Sequence, residues 1–154
     1  MAAIIESKND VTEEKKQFIA VKLSSEVYGI DIGYVDTIVR MQKITRVPKA
    51  QHYFKGVINL RGEIVPVMSI RLKMGFEDDT YTGASRIIIL KLEEQGKLGV
   101  IVDEVKEVVN LSEEEIDKSS YDAKDSKHSF INGVGKNGQE LISLFDINAM
   151  TEEN

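Results

Sequence analysis

Residues 29–39 of this chain read GIDIGYVDTIV, and residues 99–109 read GVIVDEVKEVV. A glycine followed by apolar residues at the same offsets recurs 70 positions later without a gap. Upstream, Ile19, Val21 and Leu23 match Ile88, Leu90 and Leu92 at a shift of 69, so the second copy has a turn one residue longer. Downstream, Gly56-Val57 and Ile70 match Gly133-Val134 and Ile147 at a shift of 77. Two β-rich stretches can agree at alternating apolar positions by coincidence. Matched glycines inside an ungapped run favour a duplication, which constrains the fold more than any other feature. It predicts two similar lobes, near residues 17–85 and 86–150. Lobes of that size bury only about 60% of their unfolded surface and are marginal alone. A third apolar zone between them, making one folding unit, is therefore expected.

The local pattern is that of an all-β protein. Ile19, Val21 and Leu23 alternate with Ala20 and Lys22, and β-branched residues are frequent. Further strands are expected near residues 28–32, 57–59, 64–68, 86–92, 98–102, 131–134 and 141–144, with turns at Gly29, Gly62, Gly96 and Gly138. Helical signals are few. Ser112 and Glu115 form a capping box, so LSEEEI should open a helical turn. Residues 33–39 and 103–109 have apolar residues three and four apart but are β-branched, so both helix and strand stay open. Residues 1–16 and 151–154 read as polar tails.

Composition narrows the function more than it names it. A net charge of −6, with basic residues that look scattered, argues against nucleic acid. The absence of cysteine removes disulfides and thiolate metal sites and fits a reducing compartment. The N-terminus lacks a secretory pattern, and no run of eighteen apolar residues could insert directly in a membrane, so a cytoplasmic location is expected. His52 and His128 are not in metal-ligand spacing; His52, beside Tyr53 and Phe54, reads as partly buried, and His128 as solvated. No nucleophile elbow or phosphate loop occurs, and GVGKNG at 133–138 reads as strand and turn. The pair Asp78-Asp79 reads as solvated, with nothing to mark a carboxyl shifted by burial. No catalytic residue, metal site or cofactor is expected, which leaves a binding protein.

One residue stands out under that reading. In FKGVINLRGEIVPVMSIR (residues 54–71), Arg61 sits in a turn between two apolar strands. A rigid hairpin holds a recognition residue well, and arginine can stack or bind a carboxylate with both arms. The plainer reading is a surface arginine bonded to its own loop. The second copy has Lys136-Asn137-Gly138 at the corresponding turn, so the fold itself does not demand the arginine.

The same block resembles the signature of the CheW family of bacterial chemotaxis adaptors, roughly G-x-x-N-L-R-G-x-x-x-P-V. Here that is Gly56, Asn59, Leu60, Arg61, Gly62, Pro66 and Val67. YGIDIGYVDTIVR, GVIVDEVKEVVNLSEEEI and FINGVGKNGQELISLFDI extend the likeness over about residues 17–150. The resemblance implies two SH3-like five-stranded barrels packed together, with a few short helical segments. It implies a non-enzymatic scaffold that couples the hairpin tip of methyl-accepting chemoreceptors to the regulatory domain of the histidine kinase CheA, recruited to membrane arrays through those partners. The single-domain length looks like the free adaptor. Receptor contact would fall on Val35, Ile38, Gly56, Val57, Asn59, Leu60, Arg61 and Gly62, and kinase contact on Val100, Val102 and Val105. Two positions depart from the family: Thr37 stands where Glu is usual, leaving Asp36 as a substitute partner for Arg61, and Ser69 stands where an acid is usual. The alternatives are an adaptor of another receptor–kinase pathway, a small β-barrel enzyme or ligand-binding domain, and a structural homodimer.

Overall fold

In a computed structural model of the chain, residues 14–118 and 130–152 are described. The expected tail over residues 1–13, and His128 with its polar loop, lie outside the described residues. Among the described residues, eleven strands form two sheets. They are β1 (Lys15–Leu23), β2 (Glu26–Asp31), β3 (Val35–Arg40), β4 (Phe54–Leu60), β5 (Glu63–Ser69), β6 (Arg86–Leu92), β7 (Gly96–Val102), β8 (Glu104–Ser112), β9 (Ile116–Asp117), β10 (Ile131–Asn137) and β11 (Glu140–Phe145). Two short helices follow equivalent strands: α1 (Ile70–Lys73) and α2 (Ile147–Thr151). Strand β1 starts at Lys15, and Thr151 is buried with its hydroxyl donating to the Ile147 carbonyl (2.7 Å), so regular structure takes in residues 15–16 and 151 that read as tail in sequence.

The sheet orders are β8-β1-β2-β11-β10-β9 and β3-β6-β7-β5-β4. Under the repeat, β1, β2, β3, β4 and β5 correspond to β6, β7, β8, β10 and β11, so the two orders are the same order. Each sheet combines the opening hairpin of one copy with the later strands of the other. The sheets therefore do not divide near residue 85, as contiguous lobes would require. The hairpins have changed places, and each joins its new sheet through a parallel pair, β2 with β11 and β5 with β7. A boundary drawn from the repeat alone assumes that each copy pairs with itself, and strand pairing is not a local property.

Three apolar zones result. Phe18, Ala20, Val109, Leu111, Ile142 and Leu144 fill the six-stranded lobe, and Ile58, Val65, Val67, Ile87, Ile89 and Ile101 fill the five-stranded one. The largest zone lies between them, built from Ile19, Val21, Leu23 and Ile30 of one sheet and Ile88, Leu90, Val100 and Val102 of the other. Ile70, Met74, Ile147 and Met150 in and beside the two helices join it. Burial on both faces explains why β6 reads RIIILKL with scarcely any alternation: Ile87 and Ile89 face their own lobe, Ile88 and Leu90 the interface.

The repeated glycine has a packing role. A Cβ on Gly29 would lie 2.7 Å from Leu144 Cδ2, and one on Gly99 would lie 2.8 Å from Ile87 Cγ2. Of residues 33–39 and 103–109, open between helix and strand in sequence, 35–39 and 104–109 lie in edge strands that pair with β6 and β1, while Gly33 and Tyr34 belong to a 3-10 turn at Ile32–Tyr34. The Ser112/Glu115 box forms, capping a single 3-10 turn at Glu113–Glu115, with the Glu115 carboxylate accepting from the Ser112 N–H at 2.9 Å.

Candidate functional site

The β4–β5 hairpin closes with Leu60 opposite Glu63, so Arg61 and Gly62 are its two central residues. Both have positive φ, 53° and 84°, which is the type I′ geometry that matches strand twist and favours Asn-Gly. Gly62 donates its N–H to Asn59 Oδ1 (2.9 Å), holding the turn closed. Arg61 occupies the left-handed region, where an ordinary L-residue is strained. In the second copy the equivalent position is Gly138, φ 65°, without that cost. Among the described residues, Arg61 has no ion-pair or side-chain hydrogen-bond partner, and it is exposed. The substitute pairing with Asp36 does not form. Asp36 lies 3.6 Å from Lys97 Nζ, which Glu63 also engages at 3.2 Å. The Glu63 hydrogen bond and the Asp36 charge raise the Lys97 pKa, so this cation is committed to two carboxylates.

The other expected receptor residues separate into groups. Asn59 and Gly62 are exposed, Leu60 half-buried against the five-stranded core, and Val57 half-buried. Gly56 is buried and structural: its φ is 139°, and a Cβ there would meet the Thr45 carbonyl oxygen at 2.1 Å, where Thr45 and Val57 exchange two backbone hydrogen bonds of 2.8 Å. Val35 and Ile38 sit on edge strand β3, across from Leu90 and Ile88 of β6; Val35 packs on the interlobe core, while Ile38 is exposed. The turn belongs to β4–β5, at the other side of the sheet from β3.

The kinase residues fare differently. Val100 and Val102 are both 0% exposed in the interlobe core, where no partner side chain can reach them. Their place in β7, buried on both faces, makes them structural. Val105 on edge strand β8 is half-buried and stays accessible.

Sequence reasoning missed the most exposed large apolar side chains. Ile64 and Leu141 are each 61% exposed, although both belong to apolar runs that read as strands. They are repeat equivalents, as are Ile38 and Val108, exposed by 37% and 48%. The signal was available in the repeat: an apolar residue kept at an outward parity in both copies. His52 is also exposed rather than partly buried, its Nε2 3.3 Å from the Leu72 carbonyl.

A second miss concerns Ser69 and Asp79. Ser69 is fully buried and caps α1, its Oγ accepting from the Leu72 N–H (3.1 Å) and donating to Asp79 Oδ2 (2.5 Å). In the second copy Asp146 caps α2 with its own carboxylate, accepting from the Ala149 N–H at 3.2 Å. The loop thus returns a carboxylate to the site where the first copy has a serine. Burial pushes the Asp79 carboxyl up, against the Ser69 hydrogen bond, and its Oδ1 is buried without a partner.

Among the described residues no cluster of histidines and carboxylates could hold a metal ion, and no helix is long and apolar enough to cross a membrane. Two SH3-like lobes with exposed apolar side chains and a strained, exposed arginine define a β scaffold of the protein-binding class. Residues 17–154 match the CheW-like domain family, to which the chain therefore belongs. It is 33% identical to the chemotaxis protein CheW of Klebsiella aerogenes over 86% of this chain and 79% of that one. It is 30% identical to that of Bacillus subtilis, over 90% and 88%. The crystal structure of the scaffolding protein TtCheW from Thermoanaerobacter tengcongensis superposes with a TM-score of 0.82 at 31% identity, covering 91% of this chain and 94% of that one.

Proposed function

We propose that the chain is a non-enzymatic chemotaxis adaptor that couples chemoreceptors to the histidine kinase CheA, acting in the cytoplasm and drawn to receptor arrays by its partners. Family membership supports the adaptor role. The observation that carries the receptor assignment is Arg61: exposed, unpartnered among the described residues, and held at φ 53° where the other copy has glycine. Strained backbone clusters at functional sites, and an exposed side chain held there supports a role outside the fold. Receptor contact then centres on Asn59, Leu60, Arg61 and Gly62, with Val57 beside them and Ile38 and the edge of Val35 on β3. Kinase contact belongs to the six-stranded lobe, through Val105 and the exposed Val108 and Leu141 in place of the buried valines.

A three-component pull-down with a receptor cytoplasmic fragment and the CheA regulatory domain tests this. Arg61→Glu is expected to release the receptor fragment while retaining the kinase domain and the native melting temperature. Unchanged receptor capture by a folded Arg61→Glu protein would refute the assignment.

A further inference from the structure

From Thr37 to Gly62 the chain has six cations (Arg40, Lys43, Arg46, Lys49, Lys55, Arg61) and no aspartate or glutamate. Since the whole chain carries −6, the remainder carries −6 − 6 = −12, and this stretch is a local reversal of sign. The fold gathers part of it around an open cleft of about 530 Å³. Lys43, Arg46, His52 and Lys55 line it, with Ile44, Phe54 and Leu72 as apolar surface and Asp78 and Tyr81 completing the lining. The cleft lies at the start of β4, and Arg61 follows its far end, so six residues, or about 20 Å of strand, separate the two.

The cleft already holds one carboxylate. Lys55 Nζ donates to both oxygens of Asp78, at 2.8 and 3.0 Å, and that hydrogen bond holds the Asp78 carboxyl below the usual range. Lys43 and Arg46 are exposed and have no partner among the described residues. Two free cations beside an occupied one, over an apolar floor, match separated carboxylates flanking an apolar side chain. A continuous polyanion fits less well. Asp78 in the lining, with Glu77 and Asp79 beside it in sequence, disfavours a dense row of phosphates more than a few spaced carboxylates, and arginine supplies only one of the four basic groups.

We propose that this cleft is a docking site for an acidic peptide segment of a protein partner, which seats an apolar or aromatic side chain against Ile44, Phe54 and Leu72 and its carboxylates on Lys43 and Arg46. Asp78 acts as an internal competitor that keeps Lys55 occupied. The site is separate from the Arg61 turn, so its failure would leave the adaptor reading standing.

The probe is a fluorescein-labelled peptide of alternating glutamate and phenylalanine, followed by anisotropy at low and physiological salt. The variants are Lys43→Glu with Arg46→Glu, Asp78→Asn, and Lys91→Glu with Lys136→Glu as a pair of equal charge elsewhere. All of these cations but Lys55 are exposed, and thermal melts check that each variant is folded. The cleft pair should bind the peptide about tenfold more weakly and the distant pair about as well as the unaltered protein. Asp78→Asn, which frees Lys55, should bind it more tightly. Equal losses in both charge-reversed pairs would reduce the effect to net charge and overturn the proposal. So would undiminished binding of a glutamine–phenylalanine peptide. Binding of an oligodeoxynucleotide or of phosphatidylserine vesicles, but not of the acidic peptide, that is lost in the cleft pair would also overturn it, by assigning the cleft to another class of partner.

Discussion

Replacing Arg61 by asparagine should make the protein more stable and less able to bind its receptor. Arg61 sits at φ 53° as the first central residue of a type I′ turn, with Gly62 at 84°. A left-handed L-residue costs about 1–2 kcal/mol, and asparagine recovers a good part of that through its short polar side chain. Nothing opposes the gain, because the exposed guanidinium has no partner among the described residues to lose. The bond that holds the turn, Gly62 N–H to Asn59 Oδ1 at 2.9 Å, uses neither side chain involved in the change. The net expectation is a stabilisation of about 0.5–1 kcal/mol. For a domain near this size, that is a rise in melting temperature of about 1–4 °C. Urea denaturation at equilibrium gives the free energy, calorimetry the melting point, and the receptor pull-down the function. Arg61→Lys is the control, keeping both charge and strain. If Arg61→Asn lowers stability by about 0.5 kcal/mol or more, the side chain supports the fold and the strain reasoning is wrong. If stability rises while receptor capture is unaffected, the arginine is not the recognition residue.

Fragments 14–85 and 86–152 should each be unfolded alone by circular dichroism and should recover β structure when mixed, because each sheet takes its opening hairpin from the other copy; autonomous folding of either would contradict the exchange. Ile88→Ala, at a fully buried interlobe position, should cost about 2–5 kcal/mol in urea denaturation. Val100→Asp should prevent folding altogether, whereas a folded variant lacking only kinase binding would return Val100 to the surface. Asp79→Asn should stabilise the protein at neutral pH. The folded Asp79 carboxyl is raised, so its favourable contribution is fully present below the ordinary aspartate range and is lost as pH rises through the folded value. The difference in melting temperature between the variant and the unaltered protein should therefore shrink on acidification; a difference constant between pH 3 and 8 would contradict the shift.

Much of the fold was legible because its signals are local or periodic. β-branched alternation marked most strands, and the Ser112/Glu115 box marked its 3-10 turn. The interlobe core followed from arithmetic, since lobes this small cannot bury enough surface separately. The turn at Arg61 was also legible, because the second copy acts as a control for what the fold requires. Val100 and Val102 show where such reading stops. In sequence they are β-branched residues like Val108, yet they are fully buried and Val108 is about half exposed. Their strand is sandwiched between two apolar zones, and Val108 lies on an edge strand.

The duplication, the all-β class, the hairpin at Arg61 and the family likeness were thus determined by the sequence alone. Each rests on residue order, spacing or local turn chemistry. The tertiary structure decided which copy pairs with which, which strands are buried on both faces, and which charges meet. It exchanged the two opening hairpins, gave Asp36 to Lys97 instead of Arg61, and brought Asp79 to Ser69 across ten residues of chain. It also gathered cations that look scattered in sequence around one cleft. These outcomes depend on contacts between distant segments, whose partners are selected by the packing of the whole molecule and leave no periodic mark on the chain.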